Sequence, residues 1–279
     1  METNFKIIVE YDGTHFDGWQ VQKSGITVQG ELEKALSMIL NQPIKVIGSG
    51  RTDAGVHAIG QVANFHATVD NAKLDIISKN ILKGVNSIIK TPIAIRSCNT
   101  VDHDFHARYS ATSKEYHYHI LNSYLPSALG RDYVWHVKQN LDLDKINSCC
   151  DMLIGEHDFK SFEASGSPRV HTIRTIYSAN MEYLNIKNLK TDSLINSIPK
   201  IALSGEDADS SFKQNILFKI VGSGFLRFMV RNIVGTLVMV GLSKITPEDF
   251  RKILNSKNRT LAGATAPARG LFLMRVNYQ

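Results

Sequence analysis

The sequence is poor in cysteine and tryptophan, with three and two residues among 279. Cys149 and Cys150 are adjacent and Cys98 stands apart, so they offer neither a disulfide framework nor cysteine spacing for zinc. A reducing compartment is the simplest expectation. Long apolar runs are absent as well. The most apolar stretch, FLRFMVRNIVGTLVMVGL, is interrupted by Arg227 and Arg231 and leaves too little to span a bilayer. The opening METNFKIIVEYDG has no basic segment followed by an apolar one, so no signal peptide is expected. A soluble, cytoplasmic protein is the expectation. An acidic excess is also lacking: the net charge is +6. Residues 1–105 carry 10 Lys/Arg against 11 Asp/Glu, while residues 106–279 carry 22 against 15. A basic second half favours a polyanionic partner, nucleic acid before membrane.

What is present reads as alternating strands and helices. FKIIVEY (5–11) is rich in strand formers, and a polar, glycine-marked loop covers residues 12–25. Thr27 starts a helix, with Val28, Leu32, Ala35, Leu36, Ile39 and Leu40 on one face and Pro43 marking its end. IKVIG (44–48) and IGQVANFHA (59–67) are expected strands, residues 74–90 a helix, and 91–101 a strand. In the second half, SKEYHYHILN (113–122) alternates, with Tyr116, Tyr118 and Ile120 on one face. Residues 142–155 read as a helix, 169–186 and 215–222 as strands, and 225–241 as a long helix carrying Arg227 and Arg231 on one face. A further helix begins at Thr246-Pro247, and 270–278 is a closing strand. Residues 187–213 are polar and are expected to be a surface insertion. The fold class is α+β: two related halves, each a mostly antiparallel sheet with helices on one face and the active-site cleft between them. The expected division is 1–105 and 106–279, the second half being the basic one.

The densest chemistry lies in GSGRTDAGVHA (48–58), between two expected strands. Gly48, Gly50 and Gly55 permit unusual backbone angles and close approach of another group. Asp53 sits at the tip of the connection, where rigid strands present functional groups. Arg51 is suited to keep Asp53 ionised, or equally to bind a phosphate. An ionised, held carboxylate serves as nucleophile or general base. A plain turn also uses Asp and Gly, but explains poorly the packing of Arg, Thr, Asp and His among three glycines. A phosphate-binding P-loop is excluded, since no Gly-Lys-Ser/Thr follows. His103 with His106, and His117 with His119, have the spacing of ligand pairs but belong to no zinc pattern, so no metal is expected.

GSGRTDAGVHA resembles the signature of the tRNA pseudouridine synthase A family. Five further blocks follow that family's order: YDGTHFDGWQ (11–20), FHARYSATSKEYHYHI (105–120), GEHDFKSFEASG (155–166), GSGFLRFMVRNIVGTL (222–237) and ATAPARGLFL (264–273). The resemblance implies isomerisation of uridine to pseudouridine at positions 38, 39 and 40 of the tRNA anticodon stem-loop, without cofactor or metal, by a homodimer. It implies that Asp53 is the catalytic nucleophile and Arg51 its basic partner, that Tyr116 stacks on the target base, and that Arg231 supports the active site. Read from the residues alone, Tyr116 is equally a core tyrosine of a strand. Three features depart from the family pattern: Arg269 in the last block, Lys114 and Glu115 in the central one, and the length of 187–213.

Overall fold

The computed structural model describes residues 1–166, 171–184 and 213–279. The architecture is α+β, a mixed sheet with helices on one face, and it falls into two compact units. The first comprises Met1–Lys114 and Phe272–Gln279, the second Glu115–Leu271.

In the first unit, β1 (Glu2–Tyr11) lies between β4 (Ile93–Val101) and β3 (His57–Thr68), antiparallel to both. The chain's last strand, β10 (Leu271–Tyr278), returns to this unit and runs parallel to β3, pairing Phe272 with His57. Phe5, Ile7 and Val9 of β1 alternate inward and are fully buried. Two helices, α1 (Val28–Leu40) and α2 (Leu74–Ile88), pack against each other, and α2 lies on β4. Thr27 caps α1 as its residue type suggests, accepting the Gly30 amide on its hydroxyl. The helix ends at Asn41, which takes the left-handed conformation with φ 49°, ahead of Pro43.

The expected strand 44–48 shrinks to β2 (Ile47–Gly48), which pairs with Asn64 and Ala63 of β3. Side chains of α1 take the missing backbone bonds. Ser37 Oγ accepts the Ile44 amide at 2.9 Å, Glu33 Oε1 accepts the Val46 amide at 3.0 Å, and Gln29 donates to the Val46 carbonyl at 3.0 Å. Ile44 and Val46 are buried beside the helix, so their apolar alternation is real although the ladder is not.

The chain enters the second unit through β5 (Ala111–Ser123), to which β6 (Trp135–Val137) adds in parallel. The strand order there is β5-β9-β8-β7, formed with β7 (Gly155–Asp158), β8 (Ile173–Tyr183) and β9 (Lys213–Gly222). Helix α3 (Leu143–Asp151) packs on β8, where Asn147 exchanges two 2.8 Å hydrogen bonds with the Met181 backbone. Phe159, Phe162 and Phe250 are fully buried and form an aromatic core with α4 (Met229–Gly241) and α5 (Pro247–Ser256). Thr246 and Asp249 form a capping box that brackets the N-terminal proline of α5. The expected insertion 187–213 lies, save its last residue, outside the described residues. Among the described residues, no helix is long and apolar enough to cross a membrane.

Candidate active site

The GSGRTDAGV stretch is the connection between β2 and β3, and the polar loop 12–25 is what holds it. The Ser49 amide continues the hairpin by donating to the Val62 carbonyl at 2.8 Å. Buried Gln61 receives the Ser49 hydroxyl at 2.7 Å and donates to the Gly50 carbonyl at 2.9 Å. Lys114 Nζ donates to the Ser49 carbonyl at 2.6 Å. On the other side, the Trp19 amide donates to the Thr52 carbonyl at 3.1 Å, and the Gly55 amide donates to the Phe16 carbonyl at 3.3 Å. The Thr52 and Tyr11 hydroxyls are 2.8 Å apart and both side chains are buried. Burial raises the Tyr11 phenol far above its ordinary range, so a neutral hydroxyl stands behind Thr52.

Two glycines make this geometry attainable. Asp53, Ala54, Gly55 and Val56 form a turn closed by the Val56 amide on the Asp53 carbonyl at 3.1 Å. Gly55, its third residue, has φ 77°, as a type II turn requires. Gly18 has φ 92°, and a Cβ there would lie 2.6 Å from the Thr52 carbonyl oxygen. Of the three loop glycines, Gly55 alone takes a positive φ; Gly48 serves close approach, with the Trp19 ring lying where its Cβ would be. The loop exit is fixed by His57, whose Nδ1 lies 3.0 Å from the Gly13 amide and 3.1 Å from Asp12 Oδ1. Its ring stacks on Phe272 with centroids 4.6 Å apart.

The turn therefore presents Asp53, half-buried, from a backbone fixed on both sides. Arg51 is exposed, and its Nε donates to Gln20 Oε1 at 3.0 Å. The residues of the opening motif that meet the loop through side chains, Tyr11, Asp12, Trp19 and Gln20, escape a reading of GSGRTDAGVHA alone. The signal for them is the neighbouring YDGTHFDGWQ block, whose two Asp-Gly steps mark tight backbone.

Tyr116 and Arg231 belong to the second unit. Tyr116 is buried on β5, with the Phe225 ring edge-on to it at 5.1 Å. Tyr118, on the same face, is the fuller core residue, and its hydroxyl donates to the Pro267 carbonyl at 2.7 Å. Arg231 Nε donates to the adjoining Ala266 carbonyl at 2.8 Å, so both side chains grip the ATAPARG segment. Asn232 ties in one more block and holds the ATAPARG segment again: it donates to the Phe162 carbonyl at 2.8 Å and accepts Thr265 Oγ1 at 2.7 Å.

Residues 225–228, expected to be helical, are not. Phe228 has φ 62°, and α4 begins after it, so Arg227 precedes the helix instead of sharing a face with Arg231. The two guanidinium carbons instead both lie against the Phe228 ring, 4.8 and 4.9 Å from its centroid. His106 Nδ1 accepts the Arg108 and Tyr109 amides, and His117 Nε2 lies 2.8 Å from Glu115.

Comparison with known proteins converges on one family. The model of a family described as tRNA pseudouridine synthase matches residues 7–110 and 149–279. The tRNA pseudouridine synthase A of Thermoanaerobacter sp. (strain X514) is 40% identical over 275 residues, covering 99% of each chain. That of Acetivibrio thermocellus is 39% identical over 275 residues, again 99% of each. That of Lacticaseibacillus casei is 39% identical over 277 residues, 99% of this chain and 100% of the relative. On sequence along its whole length, the chain belongs to the tRNA pseudouridine synthase family.

Proposed function

We propose that this chain isomerises uridine to pseudouridine in the anticodon stem-loop of tRNA, at positions 38, 39 and 40, using Asp53 and no cofactor. The observation that carries the mechanistic part is the loop itself. Asp53 stands on a closed turn whose backbone is hydrogen-bonded to the 11–20 segment on one side and continued by the β3 hairpin on the other. A carboxylate so fixed loses little freedom on meeting its target, which is what orientation contributes to catalysis.

The reaction breaks the bond between N1 of uracil and C1′ of ribose, turns the base, and joins C5 to C1′. The hydrogen on C5 leaves and N1 gains a proton, so atoms balance without an oxidant or a second substrate. Asp53 acts at the sugar, by attack on C1′ or by taking a ribose proton. Arg51, two residues away and exposed, supplies positive charge beside it or meets a phosphate. The target nucleotide must leave its stack. Tyr116 supplies the ring against which the freed base stacks, and Arg231 supports the site from the first turn of α4. The basic second half docks the tRNA backbone, and the working form is a cytoplasmic homodimer.

The test is tritium release from tRNA labelled at uracil C5, since forming the new bond expels that hydrogen. Asp53→Ala should lower the rate by about 10⁴-fold while retaining tRNA binding. Full activity in Asp53→Ala would overturn the mechanism. Sequencing the product for modified sites checks the three positions, and light scattering checks the dimer.

A further inference from the structure

At the end of β3 remote from the candidate active site, three metal-capable side chains converge. His57 begins the strand and His66 lies nine residues on, roughly 30 Å of extended chain away. One ligand atom from each of Glu2, His66 and His103 lies within 4.8 Å of the others. His103 Nε2 is 3.3 Å from Glu2 Oε2, and the rings of His66 and His103 meet edge-on at 5.0 Å. Histidine spacing in the sequence pairs His103 with His106; the fold pairs it with His66 instead.

The convergence is built by buried groups. Asn4 and Asn64, each 1% exposed, pin the segment that carries His103 over the sheet. Asn4 Nδ2 donates to the carbonyls of Asp102, His103 and Phe105 at 3.0, 3.3 and 2.8 Å. Asn64 Nδ2 donates to Asn4 Oδ1 at 3.0 Å, and Asn64 Oδ1 accepts the Ala107 amide at 2.9 Å. In the β1–β3 register Asn4 faces His66 and Glu2 faces Thr68, which sets Glu2 diagonally beside His66. A second observation points to a ligand: His66 Nδ1 is out of solvent and has no hydrogen-bond partner among the described residues. A buried imidazole nitrogen left unmatched is costly. Glu2 and His103 are 59% and 71% exposed at their side chains, free to close by the ångström or so that coordination needs.

We propose that Glu2, His66 and His103 form a site for a divalent transition ion of the zinc class, with positions left open for water. Two imidazoles and one carboxylate suit such an ion better than calcium or magnesium, which favour oxygen ligands. The ion ties the start of β1 to β3 and to the segment after β4. It takes no part in isomerisation.

Titration calorimetry of Zn²⁺ into chelator-treated protein, with Co²⁺ absorption as a parallel probe, decides the matter. One equivalent should bind. His103→Ala and His66→Asn should each weaken binding by about tenfold or more, whereas His106→Ala, three residues along, should stay within about twofold. With Zn²⁺ at about 100 times Kd, the folded-to-unfolded ratio should rise about 100-fold, an increase that His103→Ala cuts to about tenfold or less. His103→Ala alters an exposed side chain, so failure to fold does not obscure the reading. Absence of binding by either ion, or binding undiminished in His103→Ala, overturns the site.

Discussion

The two segments that carry the candidate groups are held by opposite means. The loop from Ser49 to Val56 is irregular chain, fixed by directional bonds from Tyr11, Trp19, Gln61 and Lys114. Helix α4 is regular chain, fixed by volume: every residue from Met229 to Gly241 except Arg231 and Met239 is buried. The loop places a carboxylate by satisfying the backbone around it. The helix places Arg231 by leaving it out of a packed apolar cylinder. Damage should therefore differ in kind. Errors in the loop should cost activity ahead of stability, and errors around α4 should cost stability first.

Matched glycine substitutions put that contrast to the test. In Gly18→Ala the new Cβ presses on the Thr52 carbonyl from a φ that alanine avoids. A shift of the loop by about 1 Å should lower the tritium-release rate by about 100-fold, with about 1–2 kcal/mol lost in urea unfolding. Gly235→Ala puts a Cβ 1.8 Å from the Ala264 carbonyl oxygen, inside the α4 packing. It should cost about 3 kcal/mol of stability, while enzyme that remains folded keeps its rate within a few-fold. If Gly18→Ala reduces stability and activity in step, or Gly235→Ala spares stability, the contrast fails.

A smaller effect tests the polar side alone. Thr52→Val leaves the buried Tyr11 hydroxyl short of a partner and should cost about 1–3 kcal/mol. Adding Tyr11→Phe removes both polar atoms and should restore part of the loss, because unmatched groups cost more than absent ones. A double variant worse than the sum of its singles would mean that the Tyr11–Thr52 contact is incidental. On the binding side, tRNA affinity should fall steeply between low and moderate salt if the basic second half meets phosphates. A flat response in a filter-binding titration would remove that half as the docking surface.

Local chemistry was readable where one residue type decides the backbone. Thr27 and Thr246-Pro247 start helices because a hydroxyl cap and a fixed φ act within one turn. The GSGRTDAGVHA loop was readable as a connection between strands because apolar alternation brackets it. What escaped depends on partners far along the chain. Ile44 and Val46 alternate like a strand, yet Ser37 and Glu33 of α1 take their amides. Phe228 favours a helix by its neighbours, yet it adopts φ 62° with two arginines against its ring, and so Arg227 leaves the helix. Tyr11 and Trp19 support the loop from outside it. Glu2, His66 and His103 come from three segments that only the strand register brings together.

The smallest effect concerns His117, in the unit where apolar packing dominates. Its side chain is 12% exposed, and its Nδ1 is buried without a hydrogen-bond partner among the described residues. Burial lowers its pKa, reinforced by Lys219 and opposed by the Glu115 hydrogen bond and by Glu182. The folded protein thus holds this proton less readily than the unfolded chain, whose histidine titrates near 6.5. Stability from a neutral His117 is fully present above about pH 6.5 and declines as pH falls toward the lower folded value, by at most about 1.4 kcal/mol per pH unit. His117→Gln removes that proton from the balance, so urea midpoints of the variant should fall less between about pH 7 and pH 5. Identical slopes in the two proteins would mean that Glu115 compensates burial completely, and that this polar contact balances the packing around it.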